Sequence, residues 1–215
     1  PTVNAGADKV LCANNAATTL NGSFTVATGG VWSGGLGTFD PSTTNMNAIY
    51  TPTAAEIASG SVTLTLTSTG NGSCIVVTDQ VLLSFTTAPA ANAGANSSVC
   101  SNNANIALNG SVTVATGGAW SGGTGSFSPN NASLNAVYTP TAAEINNGSV
   151  TLILTTTGNG NCTPATSSRT ITFTPAPIVD AGANGTVCAN APAITLNGSV
   201  TGATGGTWSG GTGTY

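Results

Sequence analysis

The chain has 215 residues, with two basic and six acidic side chains, no histidine and a formal net charge of -4. Because charged residues make up only 4% of it, hydroxyl and amide groups must keep the surface hydrated. Two basic residues give no electrostatic footprint for nucleic acid or anionic lipid, and no apolar run approaches the length that spans a bilayer. We therefore expect no nucleic-acid partner and no direct membrane insertion.

The sequence repeats with a period of 88 residues. No insertion or deletion interrupts the period, which identifies a tandem array. Two sets of residues mark it: Trp32, Trp120 and Trp208, and Cys12, Cys100 and Cys188. We place the first repeat at 1–88, the second at 89–176 and the third at 177–215. The third range holds only the N-terminal part of a repeat, so we expect the chain to be a fragment of a longer one.

Short strands bounded by turn residues fill the first repeat. In chain order we predict a broken strand over 3–12, a strand over 18–26 with a bulge or bend at Asn21-Gly22, and a strand that carries Trp32. Residues 61–69 alternate between apolar and threonine positions, which is typical of a half-buried strand. A tight turn then leads to a last strand over 76–86.

Seven or so short strands with regular turns predict an all-β fold of tandem immunoglobulin-like β-sandwich domains. A parallel β-helix is the alternative, but its repeat is much shorter. The links between repeats are short and contain proline, as at Pro89 and Pro177. Such links are stiff, so we expect the domains to form an extended, semi-rigid rod.

One helical turn is predicted in each full repeat. Thr53 and Glu56, repeated as Thr141 and Glu144, have the spacing of a capping box, in which each side chain bonds the other residue's backbone. A catalytic role for the two glutamates is the alternative. It needs a second titratable partner, and none recurs. We therefore expect a capping role, no enzyme activity and no cofactor.

The three tryptophans have two interpretations. A bulky ring set among glycines suits a strand whose Trp fills a small core. Alternatively, exposed rings at Trp32, Trp120 and Trp208 would form a platform for stacking on sugars. Many weak sites of that kind in one chain would bind glycans through avidity.

Each full repeat has two cysteines, 62 residues apart. We expect Cys12 to pair with Cys74 and Cys100 with Cys162, because domains usually close their own loops, with Cys188 left unpaired by truncation. The rival pairing joins neighbouring repeats through Cys74 with Cys100 and Cys162 with Cys188. Disulfides imply an oxidising, extracytoplasmic setting.

A metal site is not expected. Zinc would need a CxxC pair or histidines, and the sequence has neither. Asp8, Asp40 and Asp79 offer oxygen ligands for calcium, but their counterparts in the second repeat are uncharged. Any calcium site would belong to one repeat only.

Several blocks carry a family resemblance. They are Asn92-Ala93-Gly94-Ala95-Asn96, Trp120-Ser121-Gly122-Gly123 and Tyr138-Thr139-Pro140-Thr141-Ala142-Ala143-Glu144. Their style resembles the repeats of giant secreted surface proteins of Bacteroidota, notably SprB-type gliding-motility adhesins. The resemblance implies export by type IX secretion, an outer-membrane-attached, cell-surface filament, and outer-membrane anchoring and motility proteins as partners. The family has no catalytic residues to map.

Two functions follow as hypotheses. In the first, the repeats form a stalk that projects an adhesive tip and contact chiefly neighbouring repeats of the same chain. In the second, the repeats themselves bind extracellular surfaces or glycans through exposed Trp side chains. Tryptophan fluorescence separates the two, since a blue, quencher-protected emission would exclude the platform.

Overall fold

The computed structural model describes residues 1–214, which are mostly short β-strands. The first repeat contains β1 (Thr2–Asn4), β2 (Lys9–Cys12), β3 (Thr18–Thr19), β4 (Ser23–Thr25), β5 (Gly29–Ser33), β6 (Thr38–Asp40), β7 (Ile49–Thr51), α1 (Ala54–Ser59), β8 (Ser61–Thr69) and β9 (Thr78–Thr86). The second contains β10 (Ala90–Asn92), β11 (Ser97–Cys100), β12 (Ile106–Ala107), β13 (Ser111–Thr113), β14 (Gly117–Ser121), β15 (Ser126–Ser128), β16 (Val137–Thr139), α2 (Ala142–Asn146), β17 (Ser149–Thr157) and β18 (Thr166–Thr174). In the third repeat the described residues form β19 (Ile178–Asp180) and β20 (Ser199–Thr201).

The strands of the first repeat form a sandwich. A four-stranded sheet has the order β2-β9-β8-β5, and a three-stranded sheet has the order β3-β7-β6. Within the larger sheet β2 runs parallel to β9, and its other pairs are antiparallel. Strands β1 and β4 form an additional antiparallel pair. Four strands facing three is the count of an immunoglobulin constant-type sandwich.

Side chains from both sheets fill the core. Trp32 from β5, Tyr50 from β7 and Leu64 and Leu66 from β8 belong to one buried cluster. Strand β8 alternates as its sequence predicts, with its leucines inside and its threonines towards solvent. Each buried leucine contributes roughly 1.5–3 kcal/mol relative to an exposed one.

The second repeat has the same topology. Its sheets have the orders β11-β18-β17-β14 and β12-β16-β15, with β10 paired to β13. The prediction of an all-β fold with immunoglobulin-like sandwiches is confirmed.

Backbone contacts divide the chain into two compact units. The first comprises Pro1–Asn92, Gly110–Trp120 and Leu154–Ser167, and the second comprises Ala93–Asn109, Ser121–Ile153 and Ser168–Tyr215. These bounds follow contacts and not the sequence period. The repeat boundaries at 88 and 176 remain a prediction.

One predicted strand, over 18–26, is wrong as a single element. It divides into β3 and β4, which pair with β7 and β1 respectively. Between them the buried Leu20 donates its N–H to Ala48 O at 2.8 Å, and Gly22 N donates to Met46 O at 2.9 Å. At this point the chain stops pairing with β7 and begins to pair with β1. The pattern of hydrophobic residues does not indicate such a change of partner strand.

Candidate functional site: the repeated blocks and the cross-linked loop

The tryptophan side chains of the two full repeats lie in the core. Trp32 is 1% exposed and Trp120 is 0% exposed. Neither ring can stack on a sugar, so the platform interpretation is wrong for both, and the core interpretation describes them. Trp208 is 42% exposed. The described part of the third repeat contains only β19 and β20, and so it lacks the leucine-bearing strand that covers Trp32 in the first repeat.

A glycine determines how closely the chain packs on the tryptophan. A Cβ atom added to Gly22 would lie 2.8 Å from Trp32 Cζ2, and one added to Gly198 would lie 2.7 Å from Trp208 Cζ2. Both glycines belong to the repeated Leu-Asn-Gly-Ser block. This block therefore recurs because the backbone must touch the indole ring.

A buried carboxylate joins the other repeated blocks. Glu56 Oε1 accepts hydrogen bonds from Tyr50 Oη and from Leu36 N, both at 2.7 Å. Its Oε2 accepts from Thr53 N at 2.7 Å and from Thr53 Oγ1 at 2.9 Å. Tyr50 Oη in turn accepts from Gly37 N at 3.0 Å. The Tyr-Thr-Pro-Thr-Ala-Ala-Glu block thus closes on the glycine-rich segment after Trp32.

The capping box is part of this cluster. Glu56 N donates to Thr53 Oγ1 at 3.3 Å, completing the reciprocal pair with the Thr53 N bond. The helix has one to two turns and ends at Gly60, which adopts φ of 87°. Thr141 and Glu144 form the same box in the second repeat.

Hydrogen bonding fixes the ionisation of the pair. Burial alone would raise the pKa of Glu56, but the N–H groups of Thr53 and Leu36 and the Tyr50 hydroxyl lower it to about 2. Burial, followed by the bond to Glu56, raises the pKa of Tyr50 to about 12. At neutral pH Glu56 is therefore a charged carboxylate and Tyr50 is a neutral phenol. An acid or base catalyst needs a pKa near its working pH, which neither group has.

The second repeat reproduces the cluster. Tyr138 Oη and Thr124 N donate to Glu144 Oε1 at 2.7 and 2.6 Å, and Gly125 N donates to Tyr138 Oη at 2.9 Å. The same causes lower the pKa of Glu144 and raise that of Tyr138 to about 12.

The predicted disulfide pairing is wrong. Cys12 is bonded to Cys162, with their Cα atoms 5.0 Å apart, while Cys74, Cys100 and Cys188 are free. Cys12 lies beside Thr86 at the end of β9, whereas Cys74 precedes the start of the same strand. Nine residues of strand separate them by about 27 Å, far beyond the roughly 7 Å that a disulfide allows between Cα atoms.

The same geometry excludes Cys100 with Cys162, which lie at opposite ends of β18. The rival pairing is wrong too, because Cys162 is bonded to Cys12 and Cys74 and Cys100 are both free. The observed bond joins the first cysteine of one repeat to the second cysteine of the next, 150 residues on. It lies within the first compact unit.

Polar contacts support the bond. Asn14 Nδ2 donates to Thr163 O at 2.9 Å, and Thr163 N donates back to Asn14 Oδ1 at 3.3 Å. One side chain thus satisfies both backbone groups of the residue that follows Cys162. The sequence signal for this contact is the Cys-x-Asn pattern, which occurs in all three repeats.

Two of the three aspartates considered for calcium, Asp8 and Asp79, have structural roles. Asp8 Oδ1 accepts from Leu82 N and Asp79 Oδ2 from Ala5 N, both at 2.8 Å. Asn96 replaces Asp8 in the second repeat and accepts from Thr170 N at the same distance. Within residues 1–214 no group of three or more His, Cys, Asp or Glu side chains is placed to hold a metal ion.

No helix within the described residues has the length and apolar character needed to cross a membrane. The sequence matches no protein-family model and no curated protein.

The chain is similar to several solved structures. They include the insect immune protein hemolin, at 10% identity and TM-score 0.42 over 80% of this chain and 46% of that one. The immunoglobulin domains 1–4 of Sidekick-1 are 14% identical, with a TM-score of 0.33 over 81% of this chain and 51% of that one. Drosophila N-cadherin EC1–4 is 10% identical, with a TM-score of 0.36 over 78% of this chain and 47% of that one. The chain spans about half the length of each.

Proposed function

We propose that the repeats are the non-catalytic stalk of a secreted, cell-surface filamentous adhesin, with neighbouring repeats as their main contacts. The Cys12–Cys162 bond carries this proposal, because it links successive repeats covalently. A stalk that transmits load between a cell and a surface needs such continuity between its domains.

The surface suits the same role. The long strands present threonine and serine to solvent, as β8 does with Thr63, Thr65 and Thr67, and the chain carries few charges. Contacts between such surfaces change little with ionic strength, since few charges are there to be screened. The disulfide is typical of an exported protein. We further propose that the stalk is displayed outside the cell, attached to the outer membrane, and takes part in gliding motility. The resemblance of the repeated blocks suggests both.

Tracking on living cells tests the proposal. A fluorescent antibody fragment raised against residues 1–176 would label source cells, and a fragment against an integral outer-membrane protein would serve as the control. We expect surface spots that travel along the cell body while the control spots only diffuse. Stationary spots would contradict a part in gliding and agree with a fixed stalk. The absence of surface labelling on intact cells would contradict the stalk proposal itself.

The glycan alternative has no support from the two full repeats, because their indole rings are buried. Any adhesive contact made by those repeats must use other side chains.

A further inference from the structure

We propose that Asn14 docks successive repeats before the disulfide forms. Its side-chain amide binds the main chain of Thr163 and so selects Cys162 as the partner of Cys12. The inference rests on the covalent link between repeats that the proposed function uses, but not on adhesion or gliding. It makes Asn14 a positioning residue for the disulfide.

The Asn14 side chain pairs with the main chain of a single residue. Its Nδ2 donates to Thr163 O at 2.9 Å, and its Oδ1 accepts from Thr163 N at 3.3 Å. A neighbouring β-strand would offer the same donor and acceptor, so the amide takes the place of one residue of a ladder. Only one orientation of the amide satisfies both bonds. The contact is therefore directional, and it fixes the residue after Cys162 beside the turn that contains Cys12.

The Cys12 turn, residues 12–15, is held by its own repeat. Ala13 N donates to Thr86 O, and Asn15 N donates to Cys12 O, both at 2.9 Å. The turn is thereby fixed to the end of β9. Asn14 lies between these two bonded residues and presents its amide from a defined backbone.

The Cys162 loop, residues 158–165, is also held by its own repeat. Cys162 N donates to Asn159 O at 3.1 Å, and Ala165 N donates to Oγ1 of the buried Thr156 at 2.8 Å. These bonds do not involve the sulfur atoms. Because turn and loop are each ordered without the disulfide, their docking costs little ordering entropy and can come first.

Cys12 has a nearer partner along the sequence. Cys74 lies 62 residues away and Cys162 lies 150 residues away. In the unfolded chain the shorter loop should close about four times more often. The fold of the first repeat opposes this, because it places Cys74 at the other end of β9. The two bonds of Asn14 then bring the Cys162 loop to the Cys12 turn.

Recognition of the main chain tolerates different side chains. Both bonds of Asn14 go to main-chain atoms of Thr163, and the equivalent residue of the first repeat is Ile75. The docking residue itself recurs, as Asn102 and Asn190, two residues after the first cysteine of each repeat. One type of side chain can therefore dock loops that differ in sequence.

The bond forms by thiol–disulfide exchange with a small disulfide such as oxidised glutathione. The Cys162 thiolate attacks one glutathione sulfur, which gives a mixed disulfide and releases one glutathione thiolate. The Cys12 thiolate then attacks the Cys162 sulfur and releases the second. Two protein thiols are oxidised, one glutathione disulfide is reduced to two thiols, and the protons of the protein thiols pass to glutathione. Docking favours the second step, because it holds both cysteines at one place.

The first test measures the equilibrium constant of the bond. The full chain carries Cys74→Ser, Cys100→Ser and Cys188→Ser, so that only one disulfide can form. The protein is equilibrated in buffers of oxidised and reduced glutathione, alkylated, and analysed by intact mass. We expect Asn14→Ala to lower the constant for Cys12–Cys162 about tenfold through two lost hydrogen bonds. A change of less than twofold would overturn the proposal.

Two control variants separate docking from the stability of turn and loop. Asn15 is exposed and contributes its main-chain N–H to the turn, so Asn15→Ala should leave the constant unchanged. Thr163→Ile installs the residue of the first repeat and should also leave it unchanged. A tenfold loss in Asn15→Ala would assign the effect to the turn, and a tenfold loss in Thr163→Ile would assign it to the Thr163 side chain. Either result would overturn main-chain recognition by Asn14.

The second test asks whether docking precedes the bond. In the full chain with all five cysteines changed to serine, hydrogen exchange of the Thr163 amide is followed by NMR. We expect Asn14→Ala to speed this exchange about tenfold, because the amide loses its acceptor, while Asn15→Ala leaves it unchanged. Equal exchange with and without Asn14 would show that docking needs the disulfide and would overturn the proposed order. None of these outcomes bears on surface display, which the labelling of cells tests separately.

Discussion

Tyr50 Oη donates a 2.7 Å hydrogen bond to Glu56 Oε1, and Tyr138 Oη donates one of the same length to Glu144. The donors and acceptors belong to the most recognisable repeated blocks, and the peptide N–H groups that complete each cluster come from the segment after the tryptophan. The blocks therefore recur together because they are parts of one buried hydrogen-bonded cluster in each full repeat.

Acid should destabilise the protein through the two glutamates. The Glu56 carboxyl takes up a proton near pH 4.5 when unfolded and only near pH 2 when folded. Its contribution to stability is therefore full above pH 4.5 and is lost as the pH falls towards 2. At pH 7 the double variant Glu56→Gln, Glu144→Gln should lose about 4 kcal/mol of unfolding free energy, about 2 kcal/mol for each disrupted site. Urea midpoints measured from pH 7 to pH 2 should show this difference shrinking, and a constant difference would contradict it.

Alkali should act through the tyrosines. The pKa of Tyr50 rises from 10.0 in the unfolded chain to about 12 in the folded one. The stability that this group provides is present below pH 10 and is lost as the pH rises towards 12. Tyr50→Phe should weaken this alkaline decline. Circular dichroism melts between pH 8 and pH 12 measure it, and Tyr138→Phe should act in the same direction.

Gly35 should tolerate no side chain. A Cβ atom there would lie 2.1 Å from Tyr50 Oη, and the residue has φ of 71°. Gly35→Ala should therefore cost roughly 3 kcal/mol for the steric conflict, beyond about 1 kcal/mol for the left-handed backbone. Gly60→Ala is the matched control, because Gly60 has φ of 87° and no atom within 4 Å of the added methyl group. Equal losses of unfolding free energy would show that the close approach to the tyrosine has no effect.

Tryptophan emission should separate the three rings. Trp32 and Trp120 are buried, so their emission should be blue-shifted and protected from iodide, whereas the half-exposed Trp208 should be quenched. Trp208→Phe should remove most of the quenchable intensity. Trp32→Phe, the control, should remove protected intensity. An iodide-accessible signal that persists in the Trp208 variant would contradict the burial of the other two rings.

The Cys12–Cys162 bond should stabilise the chain strongly. Closing a loop of this size lowers the conformational entropy of the unfolded chain. On the loop-entropy estimate this stabilises the folded state by about 4–5 kcal/mol. Cys162→Ser should lower the guanidinium midpoint accordingly, whereas Cys74→Ser should leave it unchanged, since Cys74 is free. Peptide mapping of the parent protein should recover the Cys12–Cys162 pair. A Cys12–Cys74 peptide in its place would contradict the connectivity.

Local pattern was sufficient to predict several elements. Strand β8 follows from the alternation of leucine and threonine, and helix α1 follows from the spacing of Thr53 and Glu56. The period of 88 residues and the short strands gave the sandwich. The strand and the helix depend on residues close together in the chain, and the period is a direct comparison of the sequence with itself, so all three can be found in a single sequence.

Long-range partners were beyond prediction. The disulfide depends on β2 lying parallel to β9, which places Cys12 at the far end of that strand from Cys74. The role of Gly35 depends on the position of the Tyr50 hydroxyl, fifteen residues further along the chain. The spacing of residues along the sequence does not indicate whether two strands pair in parallel or antiparallel. It also does not indicate which loops lie close together in the fold.

The Cys12–Cys162 bond also determines which part of the chain can be stretched. A pull applied to the two ends passes through the sulfur atoms and bypasses the chain between them, so the 150-residue separation contributes almost nothing to the extended length. About 500 Å of contour is withheld at roughly 3.4 Å per residue. Under tension the bonded part can lose its fold without lengthening appreciably, and only reduction of the bond would release that length.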